Sequence, residues 1–374
     1  MQGKPVVVGG RPDRRGVVAS ASYEARTFGI KAGMPLFRAY QLCPQAIFIE
    51  GNFSRYREAS ERFLRILARY SPCLEPVGLD EAYLDATGCY SFGTPRQMAE
   101  HIKSEIKTKL KLTASIGIAT CKVVAKIASD AGKPDGLVEV EPGNEREFLA
   151  PLPINSLPGV GRNTEAILKS LGVATIGQLA ALPLPLLKSY LAATGTILHN
   201  YANGIDTRQV EPPGEAKSIS RETTLAEDTL NLPFLKAMLR YLCEQVGAEL
   251  RYQARQARRV TLKLRYADFE TITRSSTATE PTSSDDVIFS RAEALLHKAL
   301  SHRRKLIRLI GVEASALTSF GRQLRLFEPA SQRLEYLDKA IDRIRKKYGF
   351  TSIQTGRTLL LTDLFASHLK EMNP

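Results

Sequence analysis

The 374-residue sequence contains no tryptophan, only five cysteines and only five histidines. The cysteines are scattered and none belongs to a Cys-x-x-Cys pair, a pattern that favours free thiols over a disulfide framework or a cysteine metal site. The histidines are equally scattered, so a histidine-rich catalytic or zinc site has little support. These scarcities point away from disulfide-rich and zinc-binding classes of protein.

Long apolar runs are also missing. No stretch approaches the roughly 20 residues that a membrane-spanning helix needs. The N-terminal "MQGKPVVVGGRPDRRG" has no apolar signal-peptide region. A hydrophobic content of 43% and a charged content of 24% are typical of a globular protein. We therefore expect a cytoplasmic protein with no membrane partner, and its length favours two to four folding units.

Positive charge is abundant. The formal net charge is +13 and the isoelectric point is near 9.5. A basic surface favours a polyanionic partner, but charge alone does not separate DNA from RNA or from an anionic membrane.

Hydrophobic periodicity predicts an α+β layer in the first part of the chain. "PVVVGG" at 5–10 is typical of a buried strand, and "LTASIGIAT" of a later one. Apolar residues recur at helical spacing in 55–70 and in 98–110, which predicts two amphipathic helices. Helices on one face of a sheet follow from this order.

The second part of the chain predicts two further units. Residues 152–182 contain short helical segments interrupted by Pro-Gly and Gly-Val-Gly, and 206–218 is typical of a linker. Beyond it, "RRVTLKLRYADFE" and 307–317 predict strands, with helices near 233–250 and 288–300. In the first strand Val260, Leu262, Leu264 and Tyr266 should face a core. A charged helix is expected at 336–347.

Asp80 and Glu81 stand side by side in the apolar "EPVGLDEAYLDATG". Adjacent carboxylates repel, and strict strand alternation would send them to opposite faces of a sheet. A hairpin turn at Gly78 would let them converge, and a bound Mg²⁺ would remove the repulsion. A solvated turn is the alternative from these residues alone.

Three side chains are candidates for phosphate binding. Tyr23 and Arg26 follow a strand in "SYEARTFGI", where a hydroxyl and a guanidinium suit phosphate oxygens. Lys133 lies in a "GKPDG" turn, which is not a P-loop because the GxxxxGK[ST] spacing is absent. Each side chain, taken singly, also fits an ordinary packing or surface role.

Gly159 and Gly161 in "LPGVGRNTEAILKSLG" permit a tight turn between helices. Backbone N–H groups at the following helix N-terminus could then bind a nucleic-acid phosphate without reading sequence. A phosphate-tracking surface could also come from cations of the last unit, with a solvated basic face as the alternative. These cations are Lys217, Arg221, Lys263 and Arg265, with Arg258, Arg259, Arg303, Arg304, Lys305 and Arg308.

Four segments in order resemble the Y family of translesion DNA polymerases, in its bacterial DNA polymerase IV type. They are "VVASASYEARTFGIKAGMP", "GLDEAYLDATG", "SIGIATCKVVAKIASDAGKPDG" and "LPGVGRNTEAILKSLG". The resemblance implies a right-hand, multidomain α+β architecture. Its expected domains are fingers at 1–51 with the start of the palm, palm at 52–141, helix-hairpin-helix thumb at 142–207, linker at 208–216, little finger at 217–318 and C-terminal tail at 319–374.

The resemblance also implies roles for the candidate residues. Asp80 and Glu81 would be catalytic ligands of two Mg²⁺ ions, and Tyr23, Arg26 and Lys133 would hold the incoming deoxynucleoside triphosphate. The reaction would extend a primer on template DNA, opposite damage, by two-metal nucleotidyl transfer. "QLRLF", Gln323 to Phe327, looks like a sliding-clamp peptide with Leu324, Leu326 and Phe327 as its apolar contacts. We expect a monomer.

Two departures accompany the resemblance. Gly78 stands where the family usually has Ser. Members usually begin about twenty-five residues earlier, with a strand that carries the first metal-ligand aspartate and then the sugar-gate residue, and that strand is not in this sequence. A palm without it would have an unpaired strand edge.

Two explanations stay open: a late start or fragment of an active polymerase, which we favour, or a shortened chain that binds DNA and the clamp as a non-catalytic repair accessory. A nuclease is disfavoured, because no further acidic cluster lies near Asp80 and Glu81.

Overall fold

A computed structural model of the chain describes residues 1, 3–319 and 331–362. It divides into two compact units. Residues 1–49 cluster with the chain from residue 215 onwards into what we call the terminal unit, and residues 50–214 form the central unit. Among the described helices, none is both long and apolar enough to cross a bilayer.

The terminal unit begins with a small three-stranded sheet. Strand β1 (Val6–Val8) pairs antiparallel with β2 (Ser20–Ala21) and parallel with β3 (Ile47–Ile49). Helices α1 (Tyr23–Thr27) and α2 (Leu36–Leu42) lie between β2 and β3 in the chain. The strand predicted at 5–10 is confirmed as β1. The buried side chains of this part are Val7, Val18, Ala21, Ala25, Ile30, Leu36, Ala39 and Cys43.

Two amphipathic helices support the first half of the central unit. Helix α3 (Phe53–Leu67) begins after Asn52, whose side chain accepts a hydrogen bond from the Arg55 N–H. Helix α4 (Pro95–Leu110) begins with a Thr94–Gln97 capping box. Both predicted helices are confirmed, and their apolar stripes share one core. That core contains Ile66, Leu67, Tyr70, Met98, Ile102 and Ile106.

The strands of the central unit form two separate pairs. Strand β4 (Leu74–Pro76) pairs antiparallel with β5 (Ala82–Leu84). Strand β6 (Ile116–Ile118) pairs in parallel with β7 (Leu137–Glu139), and α5 (Lys122–Ala131) connects these two. Within residues 50–214, all of which are described, every strand residue is only half-buried. The sheet that the helices cover is therefore divided rather than continuous.

Five short helices complete the central unit and share one core with α5. Leu157, Leu168, Ile176, Leu179 and Leu198 are almost wholly buried in it. The short helical segments predicted for residues 152–182 are thereby confirmed. The helices are α6 (Glu145–Leu149), α7 (Arg162–Ser170), α8 (Ile176–Ala181), α9 (Leu184–Leu191) and α10 (Ala193–Ala202).

The chain after residue 215 builds a four-stranded antiparallel sheet in the order β10-β9-β11-β8. The predicted inward side of β9 is confirmed, since Val260, Leu262, Leu264 and Tyr266 are each at most 1% exposed. The expected helices are confirmed as α11 (Leu232–Tyr252) and α12 (Asp285–His302). The four strands are β8 (Ser218–Thr229), β9 (Arg255–Tyr266), β10 (Thr271–Thr282) and β11 (Ile307–Ser319).

Strands β8 and β10 were not predicted. Their sequences, "SISRETTLAEDT" and "TITRSSTATEPT", contain too few apolar residues to show a strand period. They become strands because β11 and β9 offer unpaired backbone edges that only a neighbouring strand can satisfy.

Helix α13 (Ser331–Tyr348) packs on α11 and is followed by 3₁₀ turns at Phe350–Ser352 and Thr358–Leu361. The charged helix expected at 336–347 is thus confirmed, with an earlier start.

Candidate active site

A tight hairpin between β4 and β5 carries Asp80 and Glu81. The N–H groups of Val77 and Gly78 donate to the Glu81 carbonyl at 2.9 and 3.4 Å, which closes the turn. Asp80 is exposed, and the Glu81 side chain is 41% exposed. The predicted hairpin at Gly78 is confirmed, and it breaks strand alternation where the two carboxylates lie.

Gly78 leaves room for a side chain. A Cβ built on it would meet the Asp80 Oδ1 at 3.9 Å, an ordinary van der Waals contact. The family's usual Ser would therefore fit here, so this departure does not disturb the hairpin.

A chain of alternating charges connects the hairpin to the "GKPDG" turn. The Lys126 ammonium pairs with Glu81 and lies 3.5 Å from Asp130 Oδ2, and Lys133 Nζ lies 2.7 Å from Asp130 Oδ1. Burial works against the charged form of Lys126, but hydrogen bonding and attraction from Glu81 and Asp130 outweigh it and raise its pKa. No sequence signal assigns Lys126 a role, and only the fold shows that it contacts Glu81.

The donor chemistry at the hairpin fits a hard divalent cation, since carboxylate oxygens suit Mg²⁺ and the exposed Asp80 leaves space for water ligands. Within the described ranges, however, no group of three or more His, Cys, Asp or Glu side chains is placed to hold a metal. In the part of the chain that the structure describes, the hairpin offers two neighbouring carboxylates, and the Glu81 carboxylate is paired with Lys126.

Tyr23 and Arg26 lie together on α1, in the terminal unit. The Arg26 guanidinium lies 4.9 Å from the centroid of the Tyr23 ring, and its Nε donates to the Ala21 carbonyl at 3.1 Å. Ser22 caps this helix by accepting from the Ala25 N–H at 3.2 Å. The two side chains predicted to act on one phosphate group are therefore neighbours, on a helix whose start is well defined.

Lys133 lies in a turn that a second lysine stabilises. Lys103 Nζ on α4 donates to Asp135 Oδ1 at 2.7 Å and to the Gly136 carbonyl at 3.2 Å. A side chain on Gly136 would meet the Gly132 carbonyl at 1.9 Å, so this turn requires glycine. Sequence reasoning missed Lys103, because nothing in its helical context distinguishes it from a surface lysine.

The Gly159–Gly161 turn has the geometry predicted for it. Gly159 adopts a φ of +95°, which favours glycine, and Gly161 is the N-cap residue of α7. No described atom lies within 4 Å of a Cβ built on Gly161. The backbone at this helix start can therefore be approached closely by a ligand.

The basic face of the β8–β11 sheet is more neutral than the sequence indicates. Lys263 pairs with Glu222 at 2.6 Å, and Arg265 donates to the Thr271 hydroxyl at 2.9 Å. Arg221 lies on the other, helix-covered side of the sheet, where it is in register with the buried Val312 and lies 3.4 Å from Glu249 on α11. Lys217, Arg258, Arg259 and Arg304 are exposed. Further ion pairs hold Arg303 to Glu270, Lys305 to Asp268 and Arg308 to Asp228.

The predicted linker is fastened to the central unit at its start. Lys122, which is 8% exposed, pairs with Glu75 on β4 and donates to the Gln209 carbonyl at 3.2 Å. The Glu211 N–H donates to Glu75 at 3.0 Å. Burial opposes the charged form of Glu75, but Lys122 and this N–H outweigh it and lower its pKa. No sequence signal links residues so far apart in the chain.

Three family comparisons match most of the chain. Residues 1–130 match the impB/mucB/samB family, residues 216–326 match the C-terminal domain of that family, and residues 155–206 match the DNA polymerase-iota thumb domain. The chain belongs to the Y family of DNA polymerases. Membership makes it a DNA-directed DNA polymerase of the translesion type, a class that uses divalent metal ions.

Relatives that match nearly the whole chain support the same family. The chain is 54% identical to DNA polymerase IV of Dehalococcoides mccartyi strain CBDB1, over 98% of this chain and 94% of the relative. It is 40% identical to DNA polymerase IV of Desulfatibacillum aliphaticivorans, over 99% of this chain and 94% of the relative.

Solved structures of the Y family match the fold. A Y-family polymerase chimera of Dbh and Dpo4 has a TM-score of 0.77 at 29% identity and covers 85% of this chain and 93% of its own. An insertion ternary complex of Dbh DNA polymerase has a TM-score of 0.59 at 29% identity, with the same coverage. The α+β expectation for the chain is thereby confirmed, as is the presence of a thumb domain.

Proposed function

We propose that Asp80 and Glu81 are the catalytic carboxylates of this Y-family chain and that Mg²⁺ is the cation they hold. The observation that supports this most directly is the β4–β5 hairpin, which presents both carboxylates to solvent beside Lys126. When bound, the cations activate the primer 3′-OH and offset charge on the leaving pyrophosphate.

Lys126 on α5 and Lys133 in the turn after it would bind the triphosphate rather than the cation. Glu81 can receive a cation only if it exchanges its contact with Lys126. Lys126 and Lys133 both contact Asp130, so both ammonium groups lie where a triphosphate of opposite charge could replace that carboxylate. Lys133 would then bind the triphosphate, as the resemblance implies.

Tyr23 and Arg26 would bind the same deoxynucleoside triphosphate. The Nε of Arg26 is engaged by the Ala21 carbonyl, which orients the guanidinium, and a planar fork suits bidentate phosphate binding. The Tyr23 side chain is 50% exposed, so its hydroxyl can reach a ligand.

Primer-template DNA would be held mainly through its backbone. Gly159 and Gly161 would offer N–H groups at the α7 start, and Lys217, Arg221, Lys263 and Arg265 would contact phosphates. Since Arg221 and Lys263 are ion-paired to Glu249 and Glu222, each must exchange a carboxylate for a phosphate, and Lys217 is expected to contribute more per residue.

Three finer proposals rest on sequence. The domain boundaries are still predictions, with fingers, palm, thumb and little finger in that order along the chain. The "QLRLF" peptide would bind a sliding clamp, but Gln323, Leu324, Leu326 and Phe327 lie outside the described residues. A monomer is expected, and a cytoplasmic location is expected for an enzyme with bacterial relatives of this kind.

Primer extension by the 374-residue chain tests the proposal. We expect Mg²⁺-dependent addition of deoxynucleotides to a primed template, including one that carries a lesion. Binding of the same DNA is measured in parallel without nucleotide. Tight DNA binding with no extension at any Mg²⁺ concentration would contradict the catalytic proposal for this chain and support the accessory role instead.

A further inference from the structure

Helix α13 in the terminal unit is unusual, because its most buried side chains are charged while several of its large apolar side chains are exposed. Asp338 and Arg345 are 4% and 6% exposed, respectively. An ordinary surface helix buries an apolar stripe and exposes its charges. Both the buried charges and the exposed apolar side chains of α13 therefore need an explanation.

The buried face is attached through ion pairs to α11 and α12. Arg251 Nε and Nη2 donate to the two carboxylate oxygens of Asp342 at 2.6 and 2.8 Å, and Nη1 lies 2.8 Å from Asp285 Oδ1. Asp338 accepts from the Asp285 N–H at 3.2 Å. Arg345 pairs with Glu244, whose side chain is 2% exposed.

This arrangement sets the rotation of α13 about its own axis. A buried ion pair is favourable only in good geometry, so turning the helix would leave several charges buried without partners. The side that points away from α11 is thereby fixed, whatever its polarity.

The exposed face carries an apolar stripe, which we call the α13 stripe: Leu337, Ala340, Ile344 and Tyr348. Leu337, Ile344 and Tyr348 are 53%, 40% and 64% exposed, and Ala340 is also exposed. Steps of three, four and four residues place them in one narrow line along the helix. Tyr336, 61% exposed, lies beside it.

Positive charge flanks the stripe. Arg343, Lys346 and Lys347 are exposed, and Lys347 Nζ lies 4.9 Å from the centroid of the Tyr348 ring. Among the α13 side chains that the structure describes as exposed, every charged one is basic. At 3.6 residues per turn these cations lie on one side of the stripe and the buried face lies on the other, so the face is an apolar seam with one basic edge.

We propose that the α13 stripe docks an amphipathic helix of a partner protein whose own apolar seam has an acidic edge. The line of Leu337, Ala340 and Ile344 matches the width of a two-helix seam, and the small Ala340 lets another backbone approach closely. The basic edge selects acidic side chains on the partner and disfavours basic ones.

The same features argue against two other occupants. A second copy of α13 would bring Arg343, Lys346 and Lys347 against identical residues. A membrane surface is bound by helices with a broad apolar face rich in large residues, whereas this line is one residue wide and has alanine at its centre.

The test uses a fluorescent synthetic helix of about 20 residues with a leucine seam and glutamate edges. Its binding to the full chain is followed by anisotropy. We expect Leu337→Ser combined with Ile344→Ser to weaken binding at least about tenfold, and Arg343→Gln with Lys346→Gln and Lys347→Gln to weaken it and reduce its salt dependence. The buried ion pairs are untouched, so circular dichroism and melting should be unchanged.

Two matched controls accompany these variants. Phe269→Ser removes a side chain of similar exposure, 64%, in the turn between β9 and β10, and should leave binding unchanged. A peptide of identical composition with the seam scrambled should bind the chain weakly. Equal binding of the scrambled peptide, or unchanged binding by the Leu337→Ser/Ile344→Ser variant, would overturn the proposal. So would α13-dependent binding to anionic lipid vesicles in place of the peptide.

Discussion

The β4–β5 hairpin of the central unit and the helices α11 and α12 of the terminal unit both contain an ion pair, but one pair is exposed to solvent and the other is buried. Glu81 and Lys126 are 41% and 27% exposed, whereas Arg251 and Asp285 are 4% and 2% exposed. In water an ion pair is worth little and exchanges readily. In the interior the same pair is costly to form and far more costly to break. Exposure therefore separates an exchangeable contact from a permanent one.

The largest effect on activity is expected from changes to the exposed carboxylates of Asp80 and Glu81. Asp80→Asn or Glu81→Gln removes a charge that offsets cation charge, and we expect kcat/KM for primer extension to fall by more than about 10³-fold. DNA binding without metal should be unaffected, since neither residue is assigned to DNA. Activity within about tenfold of the original would show that these carboxylates are not the catalytic pair.

Breaking the buried cluster that Arg251 forms with Asp285, Asp338 and Asp342 should lower the stability of the fold rather than the activity. Arg251→Met leaves Asp285, Asp338 and Asp342 without their cation, and we expect a loss of about 3–5 kcal/mol. Hydrogen exchange of α11 and α13 measures it as a fall in protection of more than about a hundredfold.

The matched control for Arg251 is Arg303→Met, whose pair with Glu270 is 43% exposed on each side. It should cost less than about 1 kcal/mol. Similar losses for the two variants would contradict the contrast between buried and exposed pairs.

Lys126→Met sharpens the comparison at the hairpin. Without the competing ammonium, Glu81 is available to a cation, and we expect Mn²⁺ to bind up to about fivefold more tightly by paramagnetic resonance titration. Extension should become slower, because a phosphate contact is lost. Unchanged or weaker Mn²⁺ binding would mean that Lys126 does not compete for Glu81.

The buried cluster should also respond to pH. Burial raises the pKa of Asp285 to about 7, with a further contribution from the nearby charge of Asp338, and burial also raises the pKa of Asp338, in both cases against the opposing effect of Arg251. A carboxyl whose folded-state pKa exceeds its unfolded value stabilises the fold when protonated, so this contribution is lost as the pH rises through about 7.

Asp338→Asn removes one of the competing charges and keeps an oxygen that can accept from the Asp285 N–H. We expect the variant to be more stable than the original chain near about pH 8, with the difference shrinking towards about pH 5. Thermal unfolding at a series of pH values measures this. A pH-independent difference would show that the cluster holds no extra proton.

The smallest effect is expected from Gly78→Ser. The site has room for the side chain and the backbone needs no glycine there, so stability should change by less than about 0.5 kcal/mol. Primer extension should also be retained. A large loss would mean that the hairpin tolerates less than its geometry indicates.

Much of the fold could be predicted because apolar periodicity is strong where an element packs on one face. The stripes of α3 and α4 and the alternation of β9 are of this kind. Strands β8 and β10 could not be predicted, since their polar sequences become strands only beside β9 and β11. The candidate residues Asp80, Glu81, Tyr23, Arg26 and Lys133 came from motif order, and their roles are still predictions.

The sequence by itself determined the family, the order of the elements and the residue types that carry the chemistry, because these are local patterns. Only the tertiary structure decided that Lys126 contacts Glu81, that Lys122 and Glu75 fasten the linker, and that α13 buries Asp338 and Arg345. Each of these joins residues distant in the chain. Burial and distance then determine whether a charge is exchangeable or permanent, and neither can be read from the order of residues.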